Sequence, residues 1–312
     1  MNSIISIAWL VVSLNMLNAQ VPRDTSYTLY SAFQKIKKNY PEVRLPIYSS
    51  DERIRIERDV VYSQLDNRQL HADVYFMPND IIVPGVVLVH GGGWSSGDKS
   101  MHMNVASELA ADGFVVLVPE YRLSPEATFP AAVTDIRTAI SWMRAHADEY
   151  SIDDQKIALI GFSAGGQLAA LVGTTAHIDN FQDDGAPAPG AVQAIIDIDG
   201  VLKFRHPVSE EGTMAARWLG STYEQRPNSW EVASPLNHVS ERTPPTLFIA
   251  SSYPRFLAGH EEFMTALGRF GIRTEKRQMN NAPHSFWLVE PWYSQTRFHI
   301  TSFLTEIFKL TR

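Results

Sequence analysis

Two hydrophobic rhythms alternate along this chain. The first is a set of short, unbroken apolar runs: GVVLVH at 85–90, FVVLVPEY at 114–121, KIALIGF at 156–162, VQAIIDID at 192–199 and TLFIASS at 246–252. Runs of this length, rich in Val and Ile, are the pattern of strands covered on both faces. The second rhythm places apolar residues three and four apart. It marks helices at 131–150 (behind Pro130), 166–176, 260–271 and from about Gln295 to Lys309. Two β-rich stretches, RIRIERDVVY at 53–62 and LHADVYFM at 70–77, flank LDNRQ and read as a hairpin turning near Asp66 and Asn67. A last strand, RTEKRQM, covers 273–279. Strands alternating with helices of this length imply right-handed crossovers and an α/β architecture: a mostly parallel central sheet with helices on both faces.

Length and composition narrow the picture. At 312 residues the chain fits one large α/β domain, and no Gly/Ser-rich linker or internal repeat divides it. A net charge of −7 without a basic cluster argues against nucleic acid as a partner. Cysteine is absent, which removes disulfides, thiolate metal sites, a cysteine nucleophile and a lipoprotein anchor together. There is no HExxH and no histidine pair at helical metal-ligand spacing, so no metal or other cofactor is implied. Residues 4–14 form an apolar run too short to span a bilayer, followed by Ala19 near a plausible cleavage point. Residues 1–20 therefore read as a signal peptide, although the start carries no Lys or Arg; a buried N-terminal helix is the other reading. Residues 21–50, with Pro22, Pro41 and Pro46, read as an irregular surface arm, and 51–312 as the globular domain. The expected location is periplasmic or secreted.

Between the strand and helix at 156–176 lies GFSAG, a G-x-S-x-G nucleophile elbow in its proper strand–turn–helix setting. It puts Ser163 on the tip of a sharp turn. Acyl transfer at a serine builds an oxyanion, which needs pre-aimed N–H donors. Ala164, just after the serine, supplies one. The triple glycine of HGGGW, after the strand at 85–90, supplies Gly92 and Gly93, where side chains would block approach. A nucleotide-binding glycine loop is the competing reading, but neither a P-loop lysine nor G-x-G-x-x-G accompanies it.

HGGGW, EYRLSPEATFPAAVTDIRTAISWMR and GFSAGGQLAA together resemble the hormone-sensitive-lipase-like branch of the α/β-hydrolase esterases, over about residues 55–310. The later stretches IDIDGVLKF, SSYPRFLAGHEEF and PHSFWLVEPW resemble, more particularly, carbohydrate esterases of the Bacteroidetes feruloyl-esterase-like group, pectin methylesterases included. The resemblance implies the α/β-hydrolase fold and a serine esterase.

The base is expected late in the chain, and His284 follows the last strand. His90 reads as a loop brace and His260 as a solvated residue opening a helix. The acid departs from the family pattern. Esterases of this fold usually place Asp just past the seventh strand, where this chain has SSYPRF, without a carboxylate before Glu261. Asp199, at the end of the preceding strand, can serve instead; Glu261, Glu262 and a dyad without an acid are rivals, and Asp199 paired structurally with Arg255 is the bland alternative. Arg255 itself suits either an internal ion pair or a bidentate clamp on a uronate carboxylate. Trp94, Trp287 and Trp292 fall near the same mouth in sequence, the first two as sugar-stacking candidates and Trp292 equally as core. The expected function is a secreted serine esterase acting on a carbohydrate ester, with methyl-esterified pectin foremost. An acetyl or feruloyl xylan esterase, a serine peptidase of the same fold and a non-catalytic sugar-binding relative are the alternatives.

Overall fold

The computed structural model describes residues 24–47, 51–66, 68–178, 190–210 and 212–310. The leader read at 1–20, and Asn67 of the hairpin turn, lie outside them. The first element is a helix, α1 (Leu29–Lys37), inside the arm expected to be irregular. It is opened by a reciprocal cap in which Thr28 and Ser31 exchange side-chain and backbone hydrogen bonds. Ala32 and Ile36 bury its inner face.

Strands β1 (Arg55–Leu65) and β2 (Arg68–Phe76) form the expected antiparallel hairpin. Then come β3 (Val83–Val89), α2 (Met103–Ala111), β4 (Val115–Pro119), α3 (Ala131–Ala145), the single turn α4 (Ala147–Tyr150), β5 (Ile152–Phe162) and α5 (Ala164–Thr175). The second half holds β6 (Ala194–Ile198), α6 (Gly212–Leu219), α7 (Pro227–Val232), β7 (Thr246–Ala250), α8 (His260–Arg269), β8 (Thr274–Gln278) and α9 (Trp292–Phe308). The eight strands form one sheet in the order β1-β2-β4-β3-β5-β6-β7-β8. Pairing is antiparallel from β1 through β2 to β4 and parallel from β4 onwards.

Side chains alternate across this sheet with the period of a strand. Val87 and Val89 of β3, with Ile157 and Leu159 of β5, enter a core under α3 and α5. Val86, Leu88, Ala158 and Ile160 enter the opposite core, under α1, α2 and α9. Two buried layers explain why these strands read as unbroken apolar runs. The order of strands places the carboxyl ends of β3, β5 and β6 side by side at one edge of the sheet, where the chemistry-bearing loops emerge.

Candidate active site

Ser163 occupies a backbone conformation that side chains seldom adopt, with φ 54° and ψ −118°. The sharp turn brings β5 and α5 so close that a Cβ on Gly161 would lie 1.9 Å from the Gly165 carbonyl oxygen. A Cβ on Gly165 would lie 2.3 Å from the Val89 carbonyl oxygen of β3. The two glycines of the motif are thus required by crowding on either side of the serine. The Ser163 N–H donates to the Ile198 carbonyl at 2.7 Å, tying the elbow to the end of β6.

Ser163 Oγ lies 2.9 Å from His284 Nε2, and His284 Nδ1 lies 2.9 Å from Asp199 Oδ2. A carboxylate only accepts, so Nδ1 carries the ring proton and Nε2 is left to accept from the serine hydroxyl. The other oxygen of Asp199 accepts the Ser251 backbone N–H at 2.6 Å, and the residue is fully buried, at φ 54°. Both carboxylate oxygens are therefore held. Of the rival acids, Glu261 pairs with Lys276 at 2.7 Å and Glu262 with His206 at 3.0 Å, so neither faces His284. Arg255 is not paired with Asp199; it is exposed and its guanidinium lies 4.9 Å from the centre of the Phe256 ring. The internal ion pair considered for these two residues is not formed, because the histidine and a backbone amide take the carboxylate first.

Gly92 (φ 123°), Gly93 (φ 59°) and Ala164 line the same cleft as Ser163. Within the described residues no hydrogen bond takes up their backbone N–H groups. Gly92 turns its carbonyl the other way, to accept from Ser95 N, Ser96 N and Ser96 Oγ. His90 braces this loop: it is buried, its Nδ1–H donates to the Gly91 carbonyl at 2.8 Å, and its ring stacks on Tyr121.

Two of the three tryptophans differ from the expected sugar-stacking role, and Trp292 takes its alternative place in the core. Trp287 is 1% exposed and stands edge-on to His284 at 5.1 Å between ring centres, so it props the histidine and offers no face to a sugar. Trp94 borders the cleft, but one face stacks on Trp218 at 4.9 Å and its Nε1–H donates to Gln167. It anchors the glycine loop to α5 and α6. Trp292 packs in the core, edge-on to Tyr40. His260, expected to be solvated, is fully buried behind the triad, where Nε2–H donates to the Gly200 carbonyl at 3.1 Å. Burial holds it down to about 4.

Three features were missed in the sequence. Phe256 lies flat on the imidazole of His284, with ring centres 3.7 Å apart and planes 8° from parallel. Its adjacency to Arg255 gave no hint of this, since stacking depends on how the turn after β7 folds back. Asp197, two residues before Asp199 on β6, is fully buried and pushed up to about 8 by that burial. Its Oδ1 accepts the Gly200 N–H at 2.8 Å. The third is α1, which reaches the site although it lies some 130 residues before the serine. The Tyr27 hydroxyl, pushed up to about 12 by burial, lies 2.8 Å from Ser285 Oγ, beside the histidine. The cleft has a volume of about 1130 Å³ and runs from Ser163 along α1.

This sheet, elbow and hydrogen-bonded Ser–His–Asp array define an α/β-hydrolase of the serine type. Residues 72–254 match the BD-FAE family model, and the chain belongs to the BD-FAE family. It is similar to Esterase LipC of Mycobacterium tuberculosis, 34% identical over 54% of this chain and 44% of LipC. It is also similar to the Probable carboxylic ester hydrolase LipM of the same organism, 32% identical over 60% of this chain and 45% of LipM. The matches thus span less than half the length of either relative. Among solved structures, the thermophilic esterase Est2 of Thermogutta terrifontis superposes with a TM-score of 0.67 at 26% identity, over 80% of this chain and 92% of Est2. A truncated carbohydrate esterase from gut microbiota shares the fold, with a TM-score of 0.67 at 21% identity over 86% of this chain and the whole of that one.

Proposed function

We propose that the chain is a secreted serine esterase that hydrolyses carboxylic esters on a carbohydrate, with the methyl ester of a pectic polyuronate as its substrate. The observation that carries the ester-hydrolase reading is the unbroken line of hydrogen bonds from Ser163 through His284 to buried Asp199, beside three backbone amides that no other described residue engages. Ser163 Oγ attacks the ester carbonyl while its proton passes to His284 Nε2. The N–H groups of Gly92, Gly93 and Ala164 receive the oxyanion, and the positive end of α5 adds to them. Asp199 accepts the Nδ1–H of His284, holding the ring in place and stabilising the imidazolium. The imidazolium returns its proton to the leaving alcohol. Water, deprotonated by the same histidine, then splits the acyl-enzyme to a free carboxylate and regenerates the serine.

The substrate class is supported by the cleft. It is larger than a short acyl chain needs, and tyrosines line it together with Arg255, an exposed cation at its mouth. A guanidinium there suits the planar carboxylate of a neighbouring uronate. Secretion is supported by the apolar run at residues 4–14 and the small residue that follows.

The test is turnover of p-nitrophenyl acetate by the wild type and by Ser163→Ala. The variant is expected to keep its circular dichroism and lose the triad's share of the rate, leaving roughly 10³–10⁴-fold catalysis over water. Near-wild-type turnover would overturn the serine mechanism. Methanol, acetate and ferulate release from methylated pectin, acetylated xylan and feruloylated arabinoxylan then decides the acyl group, with methanol expected.

A further inference from the structure

The cleft has a wall that no part of the triad requires. The segment 24–47 lies across the site and is fastened to both sides of it. Asp24 bridges to Ser96 in the glycine loop, Tyr27 meets Ser285 beside the histidine, and Arg44 bridges to Glu290. With Ala32 and Ile36 buried in the core, α1 is fixed in orientation. Lys35 and the C-terminal capping residue Lys38, one helical turn apart, line the cleft from the exposed face. Neither has a carboxylate partner among the described residues. Lys37, by contrast, lies over the Phe33 ring and is not part of the cleft. Arg255 stands in the same lining, likewise without a carboxylate partner among the described residues. The carboxylates of the lining are Glu210 and Asp199, and Asp199 is taken by His284. On a chain of net charge −7, three cations in one groove run against the overall balance. Such a concentration of one sign raises the local concentration of ligands of the other.

We propose that α1 forms an anion subsite in which Lys35 and Lys38 bind the free carboxylates of uronate residues flanking the esterified one. The proposal rests on the ester-hydrolase reading above and deepens it. A methyl ester is neutral, and its hydrolysis consumes water and yields a carboxylate, methanol and a proton. The subsite therefore recognises what the reaction makes, and a partly de-esterified chain is a better substrate than a fully esterified one. Lysine suits this task, because its three donors on a flexible stem accept a carboxylate from several directions.

The experiment compares the wild type with Lys35→Ala/Lys38→Ala on three substrates: p-nitrophenyl acetate, fully methyl-esterified galacturonan oligomers and partly de-esterified ones. Wild type is expected to favour the partly de-esterified oligomers in kcat/KM, with a preference that shrinks as salt is raised. The double variant is expected to lose about tenfold on those oligomers and to match wild type on the other two substrates. Lys35→Arg/Lys38→Arg is expected to restore the preference. Binding is read separately: in a Ser163→Ala background, fully de-esterified oligogalacturonate is expected to bind about tenfold more weakly once both lysines are removed. Equal binding with and without the lysines overturns the subsite while leaving the esterase reading intact. Turnover of p-nitrophenyl acetate with neither oligomer cleaved nor bound overturns the uronate substrate and the subsite together. Failure to turn over p-nitrophenyl acetate and every oligomer overturns the esterase reading, and the subsite with it.

Discussion

Asp199 sits where a side chain has no freedom left: fully buried, at positive φ, one oxygen on a backbone amide and the other on His284. Replacing it by Asn keeps the shape but puts an amide where a carboxylate must accept, which favours the wrong tautomer of the histidine. Asp199→Asn is expected to lower kcat by up to about 10⁴ with little change in KM. Glu261→Gln and Glu262→Gln are expected to stay within a fewfold, because Glu261 serves a surface ion pair with Lys276 and Glu262 a hydrogen bond with His206, both away from His284. Steady-state kinetics of the three variants checks this, and a crippled Glu261→Gln or Glu262→Gln would move the acid onto α8. At this scale the sequence was informative where a motif fixes geometry. Ser163, Gly92, Gly93 and His284 could be named because a glycine turn, a triple glycine and a place in the chain order each have few uses. The acid stayed open among Asp199, Glu261 and Glu262, since which carboxylate reaches the imidazole depends on the three-dimensional path of two loops. Phe256 and the tryptophans depend on packing, which no spacing encodes.

Among the elements, the strands and the long helices were legible because burial on both faces of the sheet, or on one side of a helix, imposes a period. Helix α1 was not: its flanking prolines suggested an irregular arm, whereas Thr28 and Ser31 cap it, and buried Ala32 and Ile36 with partly buried Leu29 and Phe33 dock it. The helices α2, α6 and α7 are short and carry no period long enough to read. The seating of α5 gives a sharp test of how closely elements pack. A methyl group on Gly165 would meet the backbone oxygens of Val89 and His90 at 2.3 and 2.5 Å, and backbone cannot step aside. Gly165→Ala is expected to cost about 1–3 kcal/mol or more as α5 is pushed off β3. Gly268, in α8, has open space around its Cβ position and a helical backbone. Gly268→Ala is expected to stabilise by about 0.4–1 kcal/mol. Denaturant unfolding of the two variants should shift in opposite directions, and a shared sign would contradict this account of the packing.

Over the whole molecule, stability carries the mark of the buried layer behind the triad. Asp197 keeps its proton to about 8 in the fold, against an ordinary value of 3.8. Between those values the unfolded chain releases a proton that the native state retains, so rising pH favours unfolding. Buried His260 works the other way: it is neutral in the fold above about 4, against 6.5 ordinarily, and stability from this source rises with pH until the unfolded histidine is also neutral. Asp197→Asn removes only the first effect. Its Tm is expected to match wild type near pH 4 and to exceed it by a widening margin up to about pH 8; a constant margin would mean that the carboxyl is already ionised in the native state. A last consequence follows from the strand on which the triad carboxylate is mounted. When an acid follows β7, every revision of that loop also disturbs the catalytic array. Here the carboxylate belongs to the end of β6, and the Tyr253–Arg255 turn supplies only walls to the cleft. The same loop still touches the triad at both ends, where the Ser251 N–H holds Asp199 and Phe256 lies on His284, so only the side chains of Tyr253 and Arg255 between them can be exchanged, by natural drift or by grafting from a relative, without moving the carboxylate.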